Sequence, residues 1–120
     1  MPRRYHRALE QAYHDRDQAE INSQVRREIC RQFPRIRRLC VDEILHHTFN
    51  LRDARCREKV GFQFEMRLSM RVECAVVAHI RHRHTEYEKL MAPRGTAGPD
   101  VAKRIVAPLV GEMKRAWRGN

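Results

Sequence analysis

No apolar run in this 120-residue chain is longer than Cys74–Ala78. A helix that crosses a bilayer needs about 20 consecutive apolar residues, so no membrane span is expected. The opening MPRRYHRALEQ is basic but lacks the apolar stretch of a secretory signal, and no targeting segment is expected either. Cysteine is scattered: Cys30, Cys40, Cys56 and Cys74 include no C-x-x-C pair, which argues against a zinc ribbon. Without a signal sequence a disulfide framework is unexpected, and four reduced, small hydrophobic side chains are the preferred reading. There is no internal repeat and no low-complexity tract. Lysine is nearly absent among the basic residues, occurring only as Lys59, Lys89, Lys103 and Lys114 out of 25.

What is present is a hydrophobic content of 42%, enough for one domain with a modest core. Charged residues make up 33% and the mean hydropathy is negative, so a soluble, intracellular protein of cytoplasm or nucleus is expected. The net charge is +10, carried mostly by arginine. Guanidinium groups bind phosphate and carboxylate in planar, bidentate fashion, which suits an anionic partner. A base composition favouring arginine codons explains the bias equally well. Nucleic acid is the leading partner class, followed by acidic protein surfaces.

Helical spacing dominates, and no segment shows sustained strand alternation. Tyr5, Leu9 and Tyr13 recur every four residues, as do Ile21, Val25, Ile29 and Phe33. Between them "HDRDQAE" interrupts the stripe. One long helix shifts its buried face there, or two helices meet near Asn22 and Ser23, both suitable N-caps. Residues 1–20 are read as a helical arm and 21–120 as the helical domain. Pro34 disfavours helical geometry at Phe33, so the chain turns in "FPRIRR". A helix from about Arg37 to Phe49 follows, carrying Leu39, Val41, Ile44, Leu45 and Phe49, with "NLRDARC" as the next loop.

A central helix is predicted from near Glu58 to near Arg83, roughly 35–40 Å long. Projected at about 100° per residue, it places Phe64, Leu68, Val72, Ala75 and Val76 on one side. Phe62, Met66, Met70, Val77 and Ile80 fall on the other. A helix apolar on two sides is covered by neighbours. Thr85-Glu86-Tyr87-Glu88 fits the capping box T-x-x-E ahead of a short helix through Met91. "APRGTAGP" is a loop. Asp100 then caps a last helix in which Val101, Ile105, Leu109, Met113 and Trp117 recur every four residues, kinked or restarted at Pro108. The expected fold is a single all-α domain of four or five helices around the central one.

Three histidines crowd "AHIRHRHTEYEKLM". The projection sends His79 and His82 to the apolar side and His84 to the basic surface around Arg81. Two histidines on an apolar face read first as buried, hydrogen-bonded groups, with partners from Thr85, Glu86 or Tyr87. A metal site would need His79 and His82 to be joined by Glu86 or by Cys40, His46 or His47 of the second helix, and nothing in the sequence fixes that approach. No nucleophile motif or phosphate-cradling glycine loop accompanies the His-Tyr-Glu group, so neither catalytic activity nor a cofactor is inferred.

Basic clusters offer a different chemistry. Arg31, Arg35, Arg37 and Arg38 surround the Pro34 turn, Arg3, Arg4 and Arg7 crowd the N-terminus, Arg81 and Arg83 flank His82, and Lys114, Arg115 and Arg118 close the chain. Arg35, Arg37, Arg38, Arg81 and Arg83 are the candidate phosphate contacts. Binding through them would be salt-dependent and largely sequence-independent. The alternative is a solvated basic surface. Helix–turn–helix geometry around Pro34 lacks the usual glycine.

The stretch Ala78-His79-Ile80-Arg81-His82, followed by Thr85, Tyr87, Glu88 and Leu90, resembles the domain of unknown function 2293, a family of fungal and bacterial proteins. "VAKRIVAPLVGEMKRAWRG" resembles its closing helix, with Ala102, Arg104, Val106 and Trp117 as counterparts. "RREICRQFPRI" and "ILHHTF" resemble its upstream helices, so the likeness covers about residues 24–118. The family's basic glycine-containing stretch before the central helix is represented only by "EKVGF", with Gly61. The resemblance implies no catalytic residues and marks His79, His82, Thr85 and Tyr87 as a structural signature. The expected function is a small basic interaction module for nucleic acid or a nucleoprotein complex. The alternatives are a protein–protein module, such as a homodimer built on the first helix or the Trp117 end, and a histidine-based metal site or enzyme.

Overall fold

Between Arg3 and Phe33 the chain contains neither proline nor glycine, so nothing in the backbone breaks a helix there. The computed structural model describes residues 3–56, 59–91 and 98–119, with side chains from residue 17 onward. It shows one unbroken helix, α1 (Arg3–Gln32), about 45 Å long at 1.5 Å per residue. Asn22 and Ser23 lie inside this helix and cap nothing. The Gln18 side chain instead donates to Asn22 Oδ1 (2.7 Å) and to the Phe49 carbonyl (2.9 Å), and it accepts from the Leu51 N–H (2.7 Å). That docks α1 onto the exit of the next helix. The side chains of Arg3, Arg4, Arg7, Tyr5, Leu9 and Tyr13 lie outside the described residues.

Val25, Ile29 and Phe33 form the buried edge of α1, at the spacing the sequence shows. The turn at Pro34 leads into α2 (Arg38–Thr48), within a residue of the expected bounds. Its core face is Cys40, Val41, Ile44 and Leu45, continued by Phe49, while Leu39 is 69% exposed rather than in the core. The last carbonyls of α2 are satisfied from the following loop. Cys56 Sγ (3.1 Å) and Lys59 Nζ (2.9 Å) both donate to the His47 carbonyl.

The third helix corrects the expectation most. It spans Leu68–His84, about 25 Å, not Glu58–Arg83. Between α2 and this helix, the described residues form a 3-10 turn, Val60–Phe62, and no α-helix. Gly61 explains the break: a Cβ there would sit 2.3 Å from the Thr48 carbonyl oxygen and 3.0 Å from the Phe49 ring, so this segment is pressed onto the end of α2. The Arg71 guanidinium fixes it by donating to the carbonyls of Gly61 (2.9 Å) and Met66 (3.1 Å). Phe64 and Met70 are consequently exposed, although the projection placed both on apolar sides. Within its shorter span α3 is central, as expected: it packs against α1, α2, α4 and α5 and buries Val72, Ala75, Val76, His79 and Ile80.

Thr85 ends α3 in extended geometry and begins α4 (Tyr87–Met91). Its hydroxyl donates to the Arg81 carbonyl and accepts from the Tyr87 N–H at 3.2 Å. Glu88, the expected reciprocal partner of the capping box, turns to His82 instead. The last helix, α5 (Pro99–Arg118), has Gly98 as N-cap and Pro99 at its start, with Asp100 inside the first turn. It continues through Pro108 without restarting. Gly119 closes it in the left-handed region (φ 88°), where glycine carries no Cβ penalty.

The buried stripe of α5 is Ala102, Val106 and Val110, with Met113 and Trp117 packed beside it. Val101, Ile105 and Leu109, which recur every four residues with Met113 and Trp117, are 45–55% exposed. One core joins residues from all five helices in a single all-α domain, and there is no strand among the described residues.

Candidate functional site

Because His79 shares a face with Val72, Ala75 and Val76, α3 carries its imidazole into the core, where it is 8% exposed. Burial, reinforced by the neighbouring His84, lowers its pKa from 6.5 to about 4, so the ring is neutral at physiological pH. Its partners are not those expected from the 85–87 turn. Nδ1 lies 3.9 Å from Glu43 Oε2 of α2, and Nε2 is buried with no hydrogen-bond partner. A buried polar atom left unpaired costs about 1–3 kcal/mol, so this nitrogen calls for an explanation.

Two further donors reach the same place. Cys40, buried on α2, has its Sγ 3.8 Å from His84 Nε2, and burial pushes its thiol pKa up. One donor atom each from Cys40, His79 and His84 all lie within 4.8 Å of one another. Trp117 of α5 covers them, with its ring centroid 5.4 Å from that of His84 and 6.2 Å from that of His79. His84 therefore belongs to this cluster rather than to the basic surface around Arg81.

His82 goes the other way. It is exposed, with Nδ1 3.2 Å from Glu88 Oε1 and its ring edge-on to buried Tyr87 (5.0 Å). Arg81 lies 5.5 Å over the Tyr87 ring, a cation–π contact. Between α2 and α3 runs a cleft of about 640 Å³ lined in part by His47, Lys59, His79, His82, Arg83 and Glu88. Arg83 Nη2 is 3.2 Å from His47 Nε2, and burial together with this guanidinium lowers the His47 pKa. Thr85 and Tyr87 serve the α3–α4 joint, one through its hydroxyl and the other through its buried ring.

The arginines divide similarly. Arg35, Arg37 and Arg38 are exposed at the turn between α1 and α2 and enter no ion pair among the described residues. Arg31 is taken up by Glu28 (2.6 Å), whose carboxyl it holds below the usual range. The Arg35 N–H donates to the Trp117 carbonyl (2.9 Å), which seats the end of α5 against the turn. There Arg118 lies 5.0 Å over the Phe33 ring, and Glu73 binds Lys114 (2.6 Å) and Arg118 (3.2 Å), so its carboxyl is also held low, by Lys114 first. The Cys40–His84 contact brings the start of α2, with Arg37 and Arg38, to the end of α3, with Arg81 and Arg83.

Sequence reasoning named Cys40 only as one way to complete a site with His79 and His82, and assigned no role there to Glu43, His84 or Trp117. Their only signal was residue type. The spatial link between Cys40 and His84 crosses 44 positions that no periodicity connects.

No helix among the described residues is long and apolar enough to cross a membrane. The family model described as "Uncharacterized conserved protein (DUF2293)" matches residues 28–118, and the chain belongs to that family. No curated protein and no solved structure matches it.

Proposed function

We propose that this member of the DUF2293 family is a small basic helical module that binds nucleic acid, or a nucleoprotein complex, through its phosphates. The observation that carries the reading is the exposed set Arg35, Arg37 and Arg38, in no ion pair among the described residues and held by the Arg35–Trp117 backbone bond at the end of the bundle where α3 also terminates. Arg83 and Arg81 add charge from α3, although His47 and Tyr87 partly engage them. Charge of this kind reads phosphate rather than base edges, so affinity falls steeply with salt and depends little on sequence. Anisotropy titrations of labelled duplex DNA and single-stranded RNA, at low and physiological salt, test it. Binding at low salt that weakens steeply is expected; no binding to either probe at low salt removes the proposal.

A second reading, self-association, has its own observation. Val101, Ile105 and Leu109 form an exposed stripe on α5 at i, i+4, i+8 spacing, the register in which two helices pack. A second copy presenting the same stripe would cover it. Light scattering at increasing concentration tests this: a dimer lost on Ile105→Glu supports the reading, and a monomer throughout ends it.

A further inference from the structure

We propose that Cys40, His79 and His84 form a binding site for a divalent transition metal ion of the zinc class, joining α2 to the C-terminal turn of α3. The site is independent of the phosphate-binding reading. Three observations converge on it.

The donor set is right. One thiol sulfur and two imidazole nitrogens are characteristic zinc ligands, and the three donor atoms lie within 4.8 Å of one another. In a tetrahedral zinc site with Zn–S near 2.3 Å and Zn–N near 2.0–2.1 Å, sulfur and nitrogen stand about 3.6 Å apart. Cys40 Sγ and His84 Nε2 are already separated by 3.8 Å. The remaining separations, none above 4.8 Å, are within the range that side-chain rotation about the metal closes.

The second observation is the orphaned atom. His79 Nε2 is buried without a partner, and an ion would supply one. Behind the ring, Glu43 Oε2 stands 3.9 Å from Nδ1. A carboxylate hydrogen-bonded to the far nitrogen commonly orients a histidine ligand, and Glu43 stands about 1 Å beyond that distance. Glu43 is therefore a positioning residue.

Third, the cluster bridges separate helices, where a metal would hold the fold together. Cys40 comes from α2, His79 and His84 from α3, and the Trp117 indole of α5 lies over both imidazoles. Three protein donors leave one tetrahedral position for water or an incoming ligand. On binding, the Cys40 S–H bond breaks, the thiolate binds the ion and the proton passes to solvent.

The experiment uses the full chain, purified without a histidine tag and freed of metal with a chelator. Cobalt(II) is titrated in and then displaced with zinc. A single cobalt per chain is expected, with tetrahedral d–d bands and a thiolate-to-cobalt charge-transfer band. Quenching of Trp117, the sole tryptophan, should follow the same curve. Zinc should raise the melting temperature. Cys40→Ser should remove the charge-transfer band. His84→Ala, at an exposed position and so safe for folding, should weaken binding by more than about 100-fold, and Glu43→Gln by about 10-fold. Exposed His82 and Cys74 are the controls, and His82→Ala or Cys74→Ser should change nothing. A wild-type chain with neither charge-transfer band nor zinc-dependent melting shift overturns the proposal. So does a site that survives His84→Ala or is lost with His82→Ala or Cys74→Ser.

Discussion

The Pro34 turn and the end of α3 are both crowded with basic side chains, yet they differ in what surrounds them. At the turn, Arg35, Arg37 and Arg38 point to solvent with no acidic partner among the described residues. At the end of α3, His79 is sealed in the core, and His84 and Arg83 each touch another side chain. The first arrangement preserves charge for an external partner. The second keeps one of its basic groups, the buried His79, neutral, and leaves its imidazole nitrogen as a chemical asset. Burial, more than residue type, separates the two.

The largest way to break the comparison is to remove the residue where the regions meet. Phe33 is fully buried beside Arg118, and the chain that follows it carries the Arg35–Trp117 bond. Phe33→Ala should cost about 3–5 kcal/mol in denaturant unfolding and disturb both regions together. A loss under 1 kcal/mol would mean the turn is held by something else.

Next is pH, which above the carboxylate range acts first on the histidine end. The folded pKa of His79 is about 4, below its unfolded value of 6.5. Between these values the unfolded chain takes up a proton that the folded one refuses. The associated stability is therefore fully present above pH 6.5 and lost as pH falls toward 4. Roughly 3 kcal/mol is at stake, at about 1.4 per pKa unit. Unfolding in chelator across this range should show the slope, and His79→Leu should flatten it. An unchanged slope in His79→Leu would assign it to other groups.

Gly61→Ala comes third, because its Cβ would meet the Thr48 carbonyl, a backbone atom that cannot rotate away. About 1–3 kcal/mol should be lost, and the α2–α3 cleft should be disturbed while the Pro34 turn is unaffected. Amide exchange resolves the two: faster exchange around 48–62 with unchanged exchange at 33–38 is expected. The smallest effect should come from Glu73→Gln. Its pair with Lys114 and Arg118 is partly exposed, so screening limits the loss to about 0–1 kcal/mol in thermal unfolding. A larger loss would show that the end of α5 depends on this carboxylate.

Much of this architecture could be read from local spacing. The buried edge Val25, Ile29 and Phe33, the bounds of α2 and the burial of His79 all follow from helical periodicity and from Pro34. What escaped was set by tertiary contact. Nothing in "EKVGFQFEM" reveals that Gly61 is pressed against a carbonyl of α2, so the projection ran one rod through it. On α5 two apolar stripes lie side by side, and the sequence does not say which faces inward. The smaller residues, Ala102 and Val106, are buried where α5 packs on α3, and the bulkier Ile105 and Leu109 remain outside. His84 is the last residue of α3. Its meeting with Cys40 is legible only once α2 and α3 are packed.

The most direct measurement of the central claim is the salt dependence of duplex DNA binding, wild type against the triple substitution Arg35→Ala, Arg37→Ala, Arg38→Ala. Each lost phosphate contact reduces the slope of log K against log salt by about 0.9. The variant should therefore show a slope shallower by roughly two to three, with weaker binding at low salt and an unchanged melting temperature, since exposed side chains contribute little to folding. Superimposable slopes for the two proteins would contradict the assignment of the Pro34 turn as the phosphate-binding surface.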